Sequence, residues 1–350
     1  MTEGDVADAV QPVDAAVPPL GTHAGQSERG SFGDRVAAAV HRRRSQLVLG
    51  LDPDPARLWP AALERAGGTE GGPAERAARA VAAHCRLLLE AAGDQCVAVK
   101  PQVACFERLG APGWAALSEV VRDAAEQDLL VIADAKRGDI DISARAYGQA
   151  FFGHTSTPFG DVEGLGVDCL TVSPLLGRDS LAPLVQAARE RGSGVLALVR
   201  TSNPGAADLQ DRELATGETV SEALAALVDE LGAPGVGAAG LSDVGAVTGA
   251  TAPQRLEVLR TIMPRAVMLL PGIGPQGASG RDLAPAFAPG PAGGLVSASR
   301  AIVYAHEADR LPSHPPSSSS PSRHSAAGTP SRAARDEAAR LRELIWGLYA

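Results

Sequence analysis

Lysine is almost missing from this chain of 350 residues: of its 32 Lys plus Arg, only Lys100 and Lys136 are lysine. Arginine serves as well as lysine on a solvated face, so this composition has no general need of lysine. Lysine alone offers a compact ammonium that can give up a proton. Both exceptions stand at the ends of short apolar runs. Other scarcities exclude whole classes of function. The four cysteines, Cys85, Cys96, Cys105 and Cys169, have no C-x-x-C spacing and lie among apolar residues, as buried thiols of a reducing compartment do. The seven histidines contain no H-x-x-x-H or H-E-x-x-H, so no metal site is expected. No run approaches the roughly 20 apolar residues of a membrane span, and the acidic start MTEGDVADAV has no apolar core. A net charge of −9 repels nucleic acid and anionic membranes. The reading is therefore a cytoplasmic protein with no nucleic-acid and no membrane partner. The basic run Arg42 to Arg44 is read as a helix end or solvated face.

With 45% hydrophobic residues, the chain can bury a full core. Residues 1–30 are rich in Ala, Pro, Gly and acidic side chains without periodicity, and read as a disordered extension. Eight apolar runs follow: 47–51, 96–100, 129–134, 169–173, 195–200, 246–250, 266–270 and 294–299. Helical patterns alternate with them at 75–92, 113–127, 141–152, 180–190, 218–231, 253–262, 278–286 and from about 301. Eight strand and helix units with continuously apolar strands predict an α/β fold, a single-domain (βα)8 TIM barrel over 31–306. An open doubly wound sheet is the alternative. Residues 307–332 form a Ser/Pro-rich linker, and 333–350 a helix whose Leu341, Leu344, Ile345 and Leu348 recur at helical spacing for docking on the barrel.

Barrel chemistry collects at the carboxyl ends of the strands. The third run ends IADAKRGDI, which sets Asp134, Lys136 and Asp139 within six residues. On an extended segment alternate side chains share a face, so Asp134 and Lys136 should project together, with Gly138 making the turn that aims Asp139. Lys100 ends the neighbouring strand, and an alternating Lys and Asp array favours the charged form of each member. An ordinary ion-pair cluster tying loops together is the plainer reading of the same residues.

The pattern D-x-K-x-x-D-I, here Asp134, Lys136, Asp139 and Ile140, resembles the orotidine 5′-phosphate decarboxylase family. GLDPDP (50–55), VKPQ (99–102), SPLLG (173–177), VRTSNPGA (199–206), PGIGPQG (271–277) and SASRAIVYA (297–305) are similar, in order and at the expected strand ends, to its bacterial long form, the type 2 subfamily. The resemblance implies that Lys136 protonates C6 of the pyrimidine, while Asp134 presses on the departing carboxylate. It further implies that Asp139 acts across a homodimer interface in a shared site, that Lys100 and Asp52 hold the ribose, and that Ser202 reads the pyrimidine edge. Ile140 and Ser143 belong to the same substrate-binding segment; Ser143 stands where the family usually has Thr, and keeps the hydroxyl. The loop after the seventh strand and the helix after the eighth are common phosphate sites in barrels, and they offer Gln276 and Arg300.

The implied reaction is decarboxylation of orotidine 5′-phosphate to UMP and CO2, the closing step of pyrimidine synthesis. It uses no cofactor, because a fixed ammonium can stabilise a localised carbanion electrostatically. Two relatives in chemistry compete with it: a magnesium-dependent sugar-phosphate lyase on the same barrel, and a noncatalytic phosphate-ligand barrel. Lys100 opposes the first, since it stands where a metal-binding carboxylate is needed. Gly272, Gly274 and Gly277 also spell G-x-G-x-x-G, but no acidic residue occurs between Asp282 and Glu307, which opposes a dinucleotide site.

Overall fold

The computed structural model describes residues 30–249, 253–271, 280–308 and 329–348. Eight parallel strands close into a barrel: β1 (Leu47–Leu51), β2 (Ala98–Pro101), β3 (Leu130–Arg137), β4 (Cys169–Val172), β5 (Gly194–Arg200), β6 (Val244–Thr248), β7 (Met268–Pro271) and β8 (Gly294–Ala298). Pairing of Leu47 with Val296 joins β1 to β8, so the sheet has no edge and the open doubly wound alternative is excluded. Each of the eight apolar runs is one of these strands.

The strands are apolar on both faces because each face meets a different partner. Leu47, Leu49, Leu51, Val99, Val131, Leu170 and Ala197 pack against helix residues such as Leu88, Leu117 and Leu181. Alternate residues, among them Val48, Ala98, Leu130, Ile132, Cys169, Leu196, Leu269 and Leu295, form a second cluster that fills the barrel. A helix that the periodicity did not reveal, Phe32–Arg43, contributes Phe32, Val36, Ala39 and Val40 to this inner cluster and plugs the amino-terminal mouth. Its run of alanines blurs the apolar stripe in sequence. Ser31 caps it by accepting the Asp34 N–H at 3.2 Å, and Arg44 ends it in a left-handed turn. Gly194 is required at this mouth, since any Cβ there would stand 2.4 Å from the Phe32 ring.

Other elements differ from the sequence expectation as well, among them the short helices Pro60–Ala66 and Val103–Glu107, which the periodicity does not show. An antiparallel hairpin, His154–Thr157 with Gly160–Glu163, is inserted before β4, between the expected helix 141–152 and the apolar run 169–173. The helix expected over 278–286 is a single α turn, Gly280–Leu283, followed by a 3-10 turn, Ala284–Phe287. Arg260 compensates for this irregular backbone: buried, it donates to the carbonyls of Ala286 and Gly293 at 2.8 Å each and to those of Met263 and Ala266. Burial away from water lowers its pKa to about 10. The carboxyl-terminal helix spans Pro330–Trp346 and buries Ala334, Ala338, Leu341 and Ile345. Leu344, expected on that stripe, is exposed, because the buried face runs through Ala334, Ala338, Leu341 and Ile345 and leaves Leu344 to one side. The extension up to residue 29 and residues 309–328 of the Ser/Pro-rich segment lie outside the described residues.

Candidate active site

Along the inner face of three neighbouring strands the residues turn from apolar to polar at the carboxyl end: Ala98 to Lys100, Ile132 to Asp134, Cys169 to Thr171. The backbone of β3 is irregular at this level. Ala133 pairs with Leu170 and Arg137 with Val172, so four steps on β3 answer two on β4 and a bulge carries Asp134, Ala135 and Lys136. Lys136 has φ +51°, a left-handed conformation that costs a side-chain-bearing residue about 1–2 kcal/mol. Asp134 and Lys136 therefore meet through a bulge rather than through simple strand alternation. Gly138 does not make the turn either: the left-handed residues here are Lys136 and Asp141, while a Cβ at Gly138 would sit 3.0 Å from the Ser173 carbonyl.

Four donors converge on the Asp134 carboxylate. Lys100 Nζ lies 2.7 Å from Oδ2, Lys136 Nζ 2.5 Å from Oδ1, the Thr171 hydroxyl 2.9 Å from Oδ1 and the Gln102 amide 3.2 Å from Oδ2. Burial alone would raise the pKa of Asp134, yet the two ammonium groups hold it down to about 2, so the group is an anion at neutral pH. Exposure divides the roles, because the Asp134 side chain is 10% exposed and that of Lys136 45%. The carboxylate is fixed and the ammonium faces the open mouth. Asp52, at the end of β1, approaches Lys100 Nζ at 3.9 Å and extends the array to Asp, Lys, Asp, Lys.

Thr171 and Gln102 were not recognised as site residues in the sequence. Thr171 had a signal, being the polar residue within the apolar strand CLTV, and Gln102 stood inside the VKPQ segment.

Of the remaining expected residues, those that the structure describes make no hydrogen bond or ion pair to this array. Asp139 accepts the N–H of Ile140 at 2.8 Å, and among the described residues it forms no ion pair with either lysine. Ile140 and Ser143 are exposed where β3 passes into the helix Asp141–Phe151. Ser202 is exposed just beyond β5, in a loop tied down by Arg200, whose Nε and Nη2 grip Asp211 at 3.1 and 3.0 Å. Gln210 helps by accepting the Thr201 N–H at 2.7 Å. Arg300 is exposed at the start of the short helix Arg300–Val303 after β8. Gln276 lies outside the described residues. The loop after β1 and the segment after β8 are joined, since the Trp59 indole donates to the Val303 carbonyl at 3.0 Å and Arg57 grips Glu307 at 2.9 and 3.1 Å.

A closed (βα)8 barrel with a buried aspartate between two lysines at its carboxyl mouth, on a D-x-K-x-x-D strand end, belongs to the class of barrels whose charged groups gather where barrel enzymes carry their active sites. Among the described residues no group of three or more His, Cys, Asp or Glu is placed to hold a metal ion. Comparison with known proteins narrows the class. The chain belongs to the orotidine 5′-phosphate decarboxylase / HUMPS family, whose model matches residues 45–310. It is 40% identical over 281 residues to the orotidine 5′-phosphate decarboxylase of Rhodopirellula baltica, covering 80% of this chain and 91% of that one. It is 41% identical over 286 residues to the enzyme of the same name from Deinococcus radiodurans, covering 80% and 91%. Among solved structures, the Leishmania donovani OMP decarboxylase superposes with a TM-score of 0.62 at 29% identity, over 91% of this chain and 98% of that one.

Proposed function

We propose that the Lys100, Asp134 and Lys136 array is the centre at which this chain decarboxylates orotidine 5′-phosphate to UMP and CO2. The observation that carries this reading is the buried anionic Asp134, bonded on one oxygen to Lys100 and on the other to Lys136. A substrate carboxylate brought beside this fixed anion is repelled, which raises the ground state, and binding energy from the remote phosphate offsets the cost. The C6 to carboxylate bond breaks, CO2 leaves, and the electron pair stays on C6. Lys136, half-exposed toward the mouth, stabilises that pair and then gives C6 a proton, which it recovers from solvent. Lys100 and Asp52 hold the ribose hydroxyls, Ser202 the pyrimidine edge, and Gln276 and Arg300 the phosphate, with Ile140 and Ser143 lining the segment between. No cofactor enters this sequence of steps. An ammonium on each oxygen of Asp134 takes the positions a divalent cation would need, which speaks against a magnesium-dependent lyase.

The catalytic unit is the barrel, residues 31–306, with the carboxyl-terminal helix as a brace and the compartment cytoplasmic. It works as a homodimer with shared sites. Support comes from apolar side chains left in solvent beside the array: Ile142 is 81% exposed, Leu175 61% and Leu176 54%, next to an Asp139 that binds neither lysine of its own chain.

The test is absorbance loss on adding orotidine 5′-phosphate with excess EDTA, wild type beside Lys136→Ala. Wild type should turn over, and the variant should lose activity by about 10³-fold. Turnover that needs magnesium and a sugar phosphate instead would overturn the reading. For the shared site, Lys136→Ala and Asp139→Ala chains are mixed. Random pairing should restore roughly a quarter of wild-type activity, whereas no recovery would place each site within one chain.

A further inference from the structure

Thr171 lies on β4, is fully buried, and belongs to neither the D-x-K-x-x-D pattern nor the set of groups given a role above. Its hydroxyl makes two bonds of opposite sense. It donates to Asp134 Oδ1 at 2.9 Å and accepts the backbone N–H of Lys136 at 3.0 Å. The second bond is the unusual one. In a regular parallel ladder a strand N–H finds a carbonyl on the neighbouring strand, but the bulge between Ala133 and Arg137 takes Lys136 out of that register. A backbone N–H held away from water needs a partner, and a left-handed lysine needs something to keep it there. One hydroxyl meets both needs and, through its own proton, fixes the carboxylate to which the Lys136 ammonium is bonded.

We infer that Thr171 is a positioning residue: it holds the backbone of Lys136 in its left-handed conformation and orients Asp134, so that the ammonium stands aimed at the reacting carbon. This rests on the decarboxylase reading for its kinetic consequence, but its structural half is independent of substrate. Valine has the shape of threonine without the hydroxyl, so Thr171→Val removes both bonds and leaves an unpaired N–H and a carboxylate short of one donor. Serine keeps the hydroxyl.

Two measurements on the full chain test the inference. The first is steady-state decarboxylation of orotidine 5′-phosphate. In Thr171→Val, kcat should fall by about 100-fold, the loss typical of a misplaced reacting group, with KM changed by less than about threefold. Thr171→Ser should stay within about fivefold of wild type. The second uses the scarcity of lysine. A sample labelled with ¹⁵N-lysine contains only the amides of Lys100 and Lys136, so hydrogen exchange at Lys136 is read directly, whether or not the protein turns over any substrate. Exchange at Lys136 should accelerate at least about tenfold in Thr171→Val, return toward wild type in Thr171→Ser, and change little at Lys100. The inference is overturned if Lys136 exchange is the same in wild type and Thr171→Val, or if both lysine amides accelerate together, as general loosening of the barrel would cause. It is overturned as well if kcat survives the valine change within twofold. If wild type fails to decarboxylate, the functional reading falls while the exchange result still decides whether Thr171 holds Lys136.

Discussion

The two ends of the barrel interior differ by a single inward step along the three neighbouring strands β2, β3 and β4. Toward the amino terminus, Val48, Ala98, Ile132, Cys169 and Leu196 close on one another and on the plug residues Phe32 and Val36. One step higher stand Lys100, Asp134 and Thr171. The lower layer removes apolar surface from water, about 25 cal/mol for each Å². The upper layer contributes no such gain: desolvation of its carboxylate and of the Lys100 ammonium, and the left-handed backbone of Lys136, cost free energy that the ion pairs to Asp134 have to offset. The fold tolerates the upper layer because the lower one and the helix layer outside it are complete. The division teaches that in this barrel stability and chemistry are written on the same strands, two residues apart.

The largest effect that bears on this division should come from the lysines. Lys136→Arg keeps the positive charge but replaces an ammonium that can part with its proton by a guanidinium that does not. We expect kcat to fall by about 10³-fold, the range for losing a general acid, with urea unfolding unchanged to within ~0.5 kcal/mol. The counterpart in the lower layer is Ile132→Ala, two residues away on the same strand. Ile132 is 1% exposed, so its truncation should cost about 2–5 kcal/mol of unfolding free energy. The folded fraction should keep its kcat within about threefold. A loss of activity in Ile132→Ala that exceeds its unfolded fraction, or a large loss of stability in Lys136→Arg, would show that the two layers are coupled and break the comparison.

The lower layer was more legible in the sequence than the upper one. Apolar runs bounded by helical patterns are a periodic signal repeated eight times, and closure followed from their number. The helix Phe32–Arg43 escaped because Ala37 to Ala39 gives no contrast between faces, and the hairpin at residues 154–163 escaped because its strands are exposed and carry no apolar alternation. In the upper layer, Lys100, Asp134 and Lys136 could be read from the rarity of lysine and the placement of two acids. The bulge could not, since it depends on how β3 pairs with β4, and no local residue announces it: glycine, the usual sign of a left-handed turn, is at 138, while the turn is at Lys136. Thr171 and Gln102 were hidden for a related reason, as their part is defined only by the carboxylate they reach across strands.

The smallest of the expected effects compares a buried acid at the site with a buried base outside the barrel. His84, on the helix Pro73–Ala92, is 2% exposed and accepts the Trp59 N–H on Nδ1 at 3.2 Å. Burial, and to a lesser degree the neighbouring His306, lowers its pKa from 6.5 to about 4. The folded protein therefore holds this imidazole neutral where the unfolded chain protonates it. Its contribution to stability is complete above pH 6.5 and is lost as the pH falls toward 4, by about 2 kcal/mol at pH 5. Asp134 has a lowered pKa too, and its contribution is present above 3.8 and lost only as the pH falls toward 2. Acid should thus weaken the helix layer before it discharges the site. Urea unfolding followed from pH 7 to pH 4 should show the decline in wild type, and His84→Gln, whose amide oxygen can still accept the Trp59 N–H, should flatten it. An equal decline in both proteins would assign the acid sensitivity to other groups, and would remove the grounds for ranking the outer layer as the first to yield.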